Sequence, residues 1–398
     1  MTLKWIGLDL IALNTIRITP TLLIHTGKLF PLVIALSLPT TAMAIVPGKV
    51  LFDATKAQMA GNADWVLDAD VHNIGTSSSG AMVAGSGTDS NPQRAATPAT
   101  SGVTSSTAET YWTGAMSSWG VALVKRGFVV ESLPIGGHIT FGDSTNPQDL
   151  ANYGIFITVE PNIKFTSPEK TAIIQFVAAG GGFFMIADHS GSDRNNDGFD
   201  SLVILNDLVN NNSIASNVFG ITFNSVSVSL TSSFVDASAT DPVIHGAAGT
   251  VAQMQYSSGT TLSITGANSH GAIFRTTSHA SNDVMMAYAT YGSGKIVACG
   301  DSSPFDDGTG DSADTLYNGW SGAVNGDHAE AAINGCLWLN PSPQCPADLS
   351  HNGSVGGEDL SLLLLHWGAC VGCESDISGN GSVGGEDLSL LLLGWGPC

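Results

Sequence analysis

Two groups of residues in this chain have the types and spacing for chemistry. The first is a set of acids that close apolar, strand-like runs: Asp53 after KVLF, Glu160 after YGIFITV, Asp188-His189 after FFMIA, and Asp301 after KIVACG. Open α/β sheets bind ligands beyond the carboxyl ends of their strands. Asp188, His189 and Asp301 are therefore candidate catalytic residues, as acid/base groups or metal ligands. Directly after Asp188, the run HSGSDRNNDGFD sets Asp193, Asn195 and Asp197 ahead of Gly198 in the D-x-N-x-D-G order of a calcium loop. Position 12 of that loop is Ile204, so the closing carboxylate would have to come from Asp200 or Asp207. A structural calcium turn, a catalytic metal site using Asp188 and His189, and a solvated acidic loop all stay open. A further run, GDSSPFDDGTGD, gathers Asp301, Asp306, Asp307 and Asp311. Such hard oxygen donors favour calcium or magnesium over zinc.

The second group is written twice. Cys345 to Cys370 and Cys373 to Cys398 align at an offset of 28 and agree at 20 of 26 positions. Each copy reads D-x-S-x-N-G-x-V-x-x-x-D and then a leucine-rich helix. That is the spacing at which positions 1, 3, 5, 7, 9 and 12 supply oxygens to calcium and a glycine at 6 makes the turn. The candidate ligands are Asp348, Ser350, Asn352, the Ser354 carbonyl and Asp359, with Gly353 turning. In the second copy they are Asp376, Ser378, Asn380, the Ser382 carbonyl and Asp387, with Gly381 turning. Position 9 is Gly356 or Gly384, where a water would stand in, and Val355 and Val383 are expected to pair the two loops. The tandem resembles a dockerin type I module. The resemblance implies a small all-α calcium-loop domain over 345–398 that docks to a cohesin-like or other cell-surface protein. Serine at position 3 and Gly-Glu at positions 10 and 11 depart from the family pattern, the latter at the cohesin-reading positions.

Leader, cysteines and charge agree on export. Lys28 precedes LFPLVIALSLPTTAMA, which ends in the small-x-small triplet Ala42-Met43-Ala44, so 1–44 reads as a signal peptide too short to span a membrane comfortably. Four cysteines flank the repeats at equal internal spacing, which favours a clasp within each copy. A Cys370-x-x-Cys373 zinc half-site is the competing reading. Cys299 and Cys336 read as a third bridge or as ordinary buried thiols, with the bridge slightly favoured. Cleavage would remove Lys4, Arg17, Lys28 and Asp9, leaving 10 basic and 33 acidic residues, a net of −23. That surface repels nucleic acid and suits cation binding.

Between leader and repeats, strand-like and helix-like signals alternate. KVLFD, FVVESL, YGIFITVE and FFMIAD read as strands. Helices are expected over Ser106–Arg126, from the Ser167-Pro168-Glu169 start, and over 328–339; MMAYATY and KIVACGD read as a hairpin. A mainly parallel sheet with helices on both faces follows, with a β-rich insertion over 213–282 and a polar loop over 75–106. The stretch from Ser167 through Gly-Gly-Gly to FFMIAD, with the later GKIVACGDSSPF, resembles the class I glutamine amidotransferase-like superfamily. That resemblance implies a flavodoxin-like α/β domain over 45–340. Asp188-His189-Ser190 stands at that family's nucleophile turn and Asp301-Ser302 at its histidine, so amidotransferase chemistry is not carried over. Gly300-Asp301-Ser302 also resembles the start of a GDS-type esterase block, with His328 as a conceivable base for Ser302. The expected function is a secreted, calcium-binding hydrolase acting on an extracellular polymer such as polysaccharide. Its rival is a non-catalytic binding or surface-assembly protein.

Overall fold

The computed structural model describes residues 45–67, 103–112, 114–310, 317–322, 326–341, 346–350, 354–370, 373, 375–378 and 380–397, with strand pieces at 75–76, 82–83 and 95–96. The proposed signal peptide, Asp311, Asn352, Gly353, Cys345 and Cys398 lie outside the described residues, as does most of the 75–106 loop.

Five strands make a parallel core: β1 (Lys49–Asp53), β2 (Val129–Leu133), β3 (Ile155–Val159), β4 (Gly182–Ile186) and β5 (Gly294–Cys299). They lie in the order β2-β1-β3-β4-β5, all neighbours parallel. The sheet then continues antiparallel through Val284–Tyr291, Ser269–Phe274 and Phe234–Val235. The insertion is β-rich as expected, and these strands extend the main sheet. The protein is thus mixed α/β with a mainly parallel central sheet.

The strand sequences explain the burial of both faces. Side chains alternate across a strand, and here both sets are apolar. Phe52, Ile157 and Phe184 face one core with Trp119 and Ile333, while Leu51, Phe156 and Phe183 face the other with Ile173 and Leu205. The first core is covered by α1 (Ser117–Lys125) and the helix His328–Leu339. The second is covered by α2 (Ser167–Ala178) and α3 (Ser201–Asn210). α1 is shorter than the apolar spacing from Ser106 suggests. Gly114 sits at φ +122, a left-handed turn that ends helical propagation, and only a 3₁₀ turn at Glu109–Tyr111 precedes it. α2 begins one residue earlier than its serine suggests: Thr166 is the cap, in a reciprocal box with Glu169.

The cysteine expectations need correction. Cys370 and Cys373 are bonded to each other, so Cys370 closes no clasp within its own repeat and the pair forms no zinc half-site. Cys299 and Cys336 are buried free thiols; Tyr256 Oη lies 3.2 Å from Cys299 Sγ. Among the described residues no helix is long and apolar enough to cross a membrane.

The repeats form short loop–helix units, with helices at Gly357–Leu365 and Gly385–Leu393. Val355 and Val383 share one small core with Leu363 and Leu391, but they do not pair with each other. Each pairs with the tail behind the other repeat's helix, Val355 with Gly396 and Val383 with Gly368. The two bridges map onto each other under the offset of 28, so the module has internal two-fold symmetry.

Candidate functional site at the strand ends

The carboxyl ends of β1, β3, β4 and β5 deliver the site, and one cation organises it. Arg194 Nε donates to Glu160 Oε1 (2.7 Å), Nη2 donates to Asp188 Oδ2 (2.9 Å), and Nη1 donates to Asn62 Oδ1 (3.0 Å). Ser302 Oγ donates to the other Glu160 oxygen at 3.1 Å. Glu160 is fully buried and takes φ +43, a costly left-handed conformation for a non-glycine residue and one that concentrates at functional sites. Asn162 clips the following loop to β3. Its Oδ1 accepts the Arg194 amide (3.0 Å), its carbonyl accepts the Asn195 side chain, and its Nδ2 donates to the Glu160 carbonyl (2.8 Å).

Two carboxylates thus bond one guanidinium, and a third, Asp301, lies close enough to act on Asp188. Burial raises the proton affinity of Asp188 well above the carboxylate range, reinforced by Glu160 and Asp301 and opposed by Arg194. Asp301 is pushed up to about 7, chiefly by burial and also by Glu160, although Ser303 and Ser257 amides bond its two oxygens (2.9 and 2.6 Å). The cluster cannot hold all three negative charges cheaply, and a proton is retained close to neutrality.

His189 stands between this cluster and solvent. Its Nδ1 lies 2.9 Å from the Ser190 carbonyl, which only accepts, so Nδ1 carries the hydrogen and neutral His189 presents a bare Nε2. Nε2 lies 3.9 Å from Asp188 Oδ2. His189 and Arg194 line a cavity of about 470 Å³ with Gly61, Asn62, Gly191, Ser192, Asp193 and Asn196. A larger groove, about 550 Å³, lies against the start of α2, but Asp143 is its single titratable lining residue. The titratable cluster borders the smaller cavity.

Of the sequence candidates, Asp188, His189 and Asp301 come together, with Asp301 a layer deeper and fully buried. Asp53 is consumed structurally: its oxygens accept from Thr55, Gln58 and Thr158. Asp193, Asn195 and Asp197 fold a self-bonded turn in which Asp193 accepts the amides of Asp197 (3.1 Å) and Gly198 (2.8 Å). Neither suggested closing carboxylate is free for it. Asp200 caps α3, and Asp207 pairs with Lys170 at 2.7 Å. His328 is no base for Ser302, because its Nε2 accepts the Gln255 amide (2.9 Å) and its Nδ1 meets the Gly319 carbonyl (2.8 Å). The residue that sequence reasoning passed over is Arg194. Its signal was rarity, one of 13 basic residues in the chain set among four acids of a strand-end loop.

In the repeats, Asp387 accepts the amides of Ser378 (2.8 Å) and Gly384 (2.7 Å), and Asp359 accepts those of Ser350 and Gly356 at the same distances. Asp376 accepts from Asn380 (3.0 Å) and Gly381 (2.8 Å), and Gly381 turns at φ +89. The glycine turn and the all-oxygen donor set fit calcium. No group of three or more His, Cys, Asp or Glu among the described residues is arranged for a metal. Each proposed ligand set has two carboxylates, so hydroxyl, amide and carbonyl oxygens would complete any shell.

No family model and no curated protein matches this chain. Among solved structures it is similar to the IFT52 N-terminal domain (17% identity, TM-score 0.38, 56% of this chain and 90% of that one). It is also similar to a ThuA-like protein from Bacteroides uniformis (13%, TM-score 0.31, 56% and 84%) and to the cytoplasmic protein STM3548 from Salmonella typhimurium (10%, TM-score 0.31, 48% and 72%). Likenesses this distant decide neither fold family nor function.

Proposed function

We propose that the α/β body is a hydrolase for an extracellular polymer such as a polysaccharide, in a secreted or surface-held protein steadied by calcium. The order β2-β1-β3-β4-β5 supports a flavodoxin-like arrangement, with the site beyond the carboxyl ends of its strands, where such folds bind ligands. The observation that carries the reading is the bare Nε2 of His189 at the cavity, 3.9 Å from the buried Asp188. Nε2 takes a proton from water as the water oxygen attacks the scissile centre, and the imidazolium so formed gives that proton to the leaving group. Arg194 has five N–H groups, three of them spent on Glu160, Asp188 and Asn62. The other two would polarise an oxygen of the substrate. Asp301 acts from behind, keeping the proton affinity of Asp188 high.

The C-terminal repeats are proposed as a dockerin-like calcium module, with Asp348, Ser350, Asn352, Ser354 and Asp359, and Asp376, Ser378, Asn380, Ser382 and Asp387, as ligands. Bound calcium would supply charge neutralisation that ties each loop to its helix. Exposed Leu365, Trp367, Leu393 and Trp395 support docking to a cohesin-like or other cell-surface protein.

One observation favours the non-catalytic rival: Glu160 and Asp301 have both oxygens bonded and no exposure. Release of reducing ends from a panel of polysaccharides, by wild type and His189→Gln, separates the two readings. Activity that disappears in His189→Gln supports the hydrolase. Binding without turnover, or turnover undiminished in the variant, overturns it.

A further inference from the structure

The Cys370–Cys373 disulfide sits where one calcium loop is anchored at both ends. The Cys373 carbonyl accepts the amide of Asp376, the first proposed ligand of the second loop (3.0 Å). The Cys370 amide donates to the carbonyl of Gly381, the turn residue of the same loop (3.1 Å). Asp376 closes the circuit by accepting the amides of Asn380 and Gly381. Next to Cys370, Gly368 and Ala369 pair with Val383 and Ser382, and Ser382 offers the position-7 carbonyl. Two cysteines three residues apart therefore hold positions 1, 6 and 7 of one loop in register.

We propose that the Cys370–Cys373 disulfide is a redox-sensitive clasp that sets the calcium affinity of the second loop. This rests on the calcium reading of the repeats. An external dithiol delivers two electrons and two protons, the S–S bond breaks to two thiols, and the dithiol is oxidised to its disulfide. Cys370 and Cys373, no longer tied, then release the two hydrogen bonds that seat Asp376 and Gly381, and the second loop must be ordered at the expense of binding. The first loop is not held by this clasp, so loss of this one bond splits two similar sites into a stronger and a weaker one. Linkage makes the effect reciprocal: calcium must protect the disulfide by the same factor.

Calcium titration calorimetry on the full chain tests this, using oxidised wild type, Cys370→Ser/Cys373→Ser, and Asp376→Asn. The expected result is two sites in wild type, one of them weakened about tenfold or more in the double serine variant. Adding the serines to Asp376→Asn should change nothing further. The wild-type protein supplies the second readout, should the variant fold poorly. Dithiothreitol titration with peptide-resolved alkylation of Cys370 and Cys373 should need about tenfold more reductant when calcium is present. Equal calcium affinity with and without the disulfide, or reduction indifferent to calcium, overturns the clasp while leaving the calcium sites standing. Oxidised wild type that binds no calcium overturns both.

Discussion

The aspartates of the repeats and those of the strand ends are the same chemical group driven in opposite directions. Asp359 and Asp387 have no exposed surface, yet they lie beneath only a thin loop. Burial is the largest single influence on each and raises its proton affinity, but the hydrogen bonds from Ser350 and Gly356, or from Ser378 and Gly384, together outweigh it, so both carboxyls sit below the ordinary range. Asp188 and Asp301 lie at the centre of a packed sheet edge, where burial dominates and neighbouring acids add to it. Asp301 also accepts two amides, so hydrogen bonding alone does not explain the difference. What separates the regions is depth and like charge. A shallow carboxylate with amide donors stays anionic and suits a hard cation; a deep one among acids keeps a proton and suits acid–base work.

The comparison breaks most visibly at Arg194. Arg194→Met leaves Glu160 and Asp188 buried without their cation and should cost about 3–5 kcal/mol in chemical denaturation at pH 7. A loss below about 1 kcal/mol would mean that protons, not Arg194, balance the cluster. Next comes pH. Asp301 has its folded proton affinity raised, so its stability contribution is complete below the unfolded value near 3.8 and is lost as pH rises through about 7. The slope for one such group is at most about 1.4 kcal/mol per pH unit. Burial lowers the proton affinity of His328, which works in the opposite sense as pH falls through 6.5. Denaturation of wild type against Asp301→Ala between pH 4 and 8 isolates the acid, and the variant should lose that slope whatever its absolute stability. In the repeats, Val355→Ala and Val383→Ala should each cost that small core about 1–2 kcal/mol, equally, because the two bridges are symmetric. Unequal losses in thermal melts would sink the symmetry. Smallest is His189→Gln, expected to shift stability by less than about 0.5 kcal/mol while removing turnover.

Where one local rule governed, the sequence was a sufficient guide. Continuous apolar runs announced β1, β3 and β4 because both of their faces are buried, and the acids behind them marked the sheet edge. Repeat identity disclosed the loop–helix units. Long-range choices were not legible. The bridge of Val355 to Gly396 depends on how two copies cross, and the Cys370–Cys373 bond depends on which sulfurs that crossing brings together. Arg194 escaped notice because two of its three partners, Glu160 and Asn62, lie 34 and 132 residues away, and no local pattern registers such a convergence. The start of α1 was misread because the apolar spacing runs across Gly114, whose backbone turn overrides it.

The central claim is that one buried strand-end carboxyl keeps its proton to neutrality while the repeat aspartates stay ionised. Carbon-13 NMR of aspartate side-chain carboxyls, assigned with Asp301→Asn and Asp387→Asn, measures this directly. The account predicts a resonance lost in Asp301→Asn that titrates near pH 7, and one lost in Asp387→Asn that titrates below the ordinary aspartate range. Both resonances titrating together near 4 would contradict it.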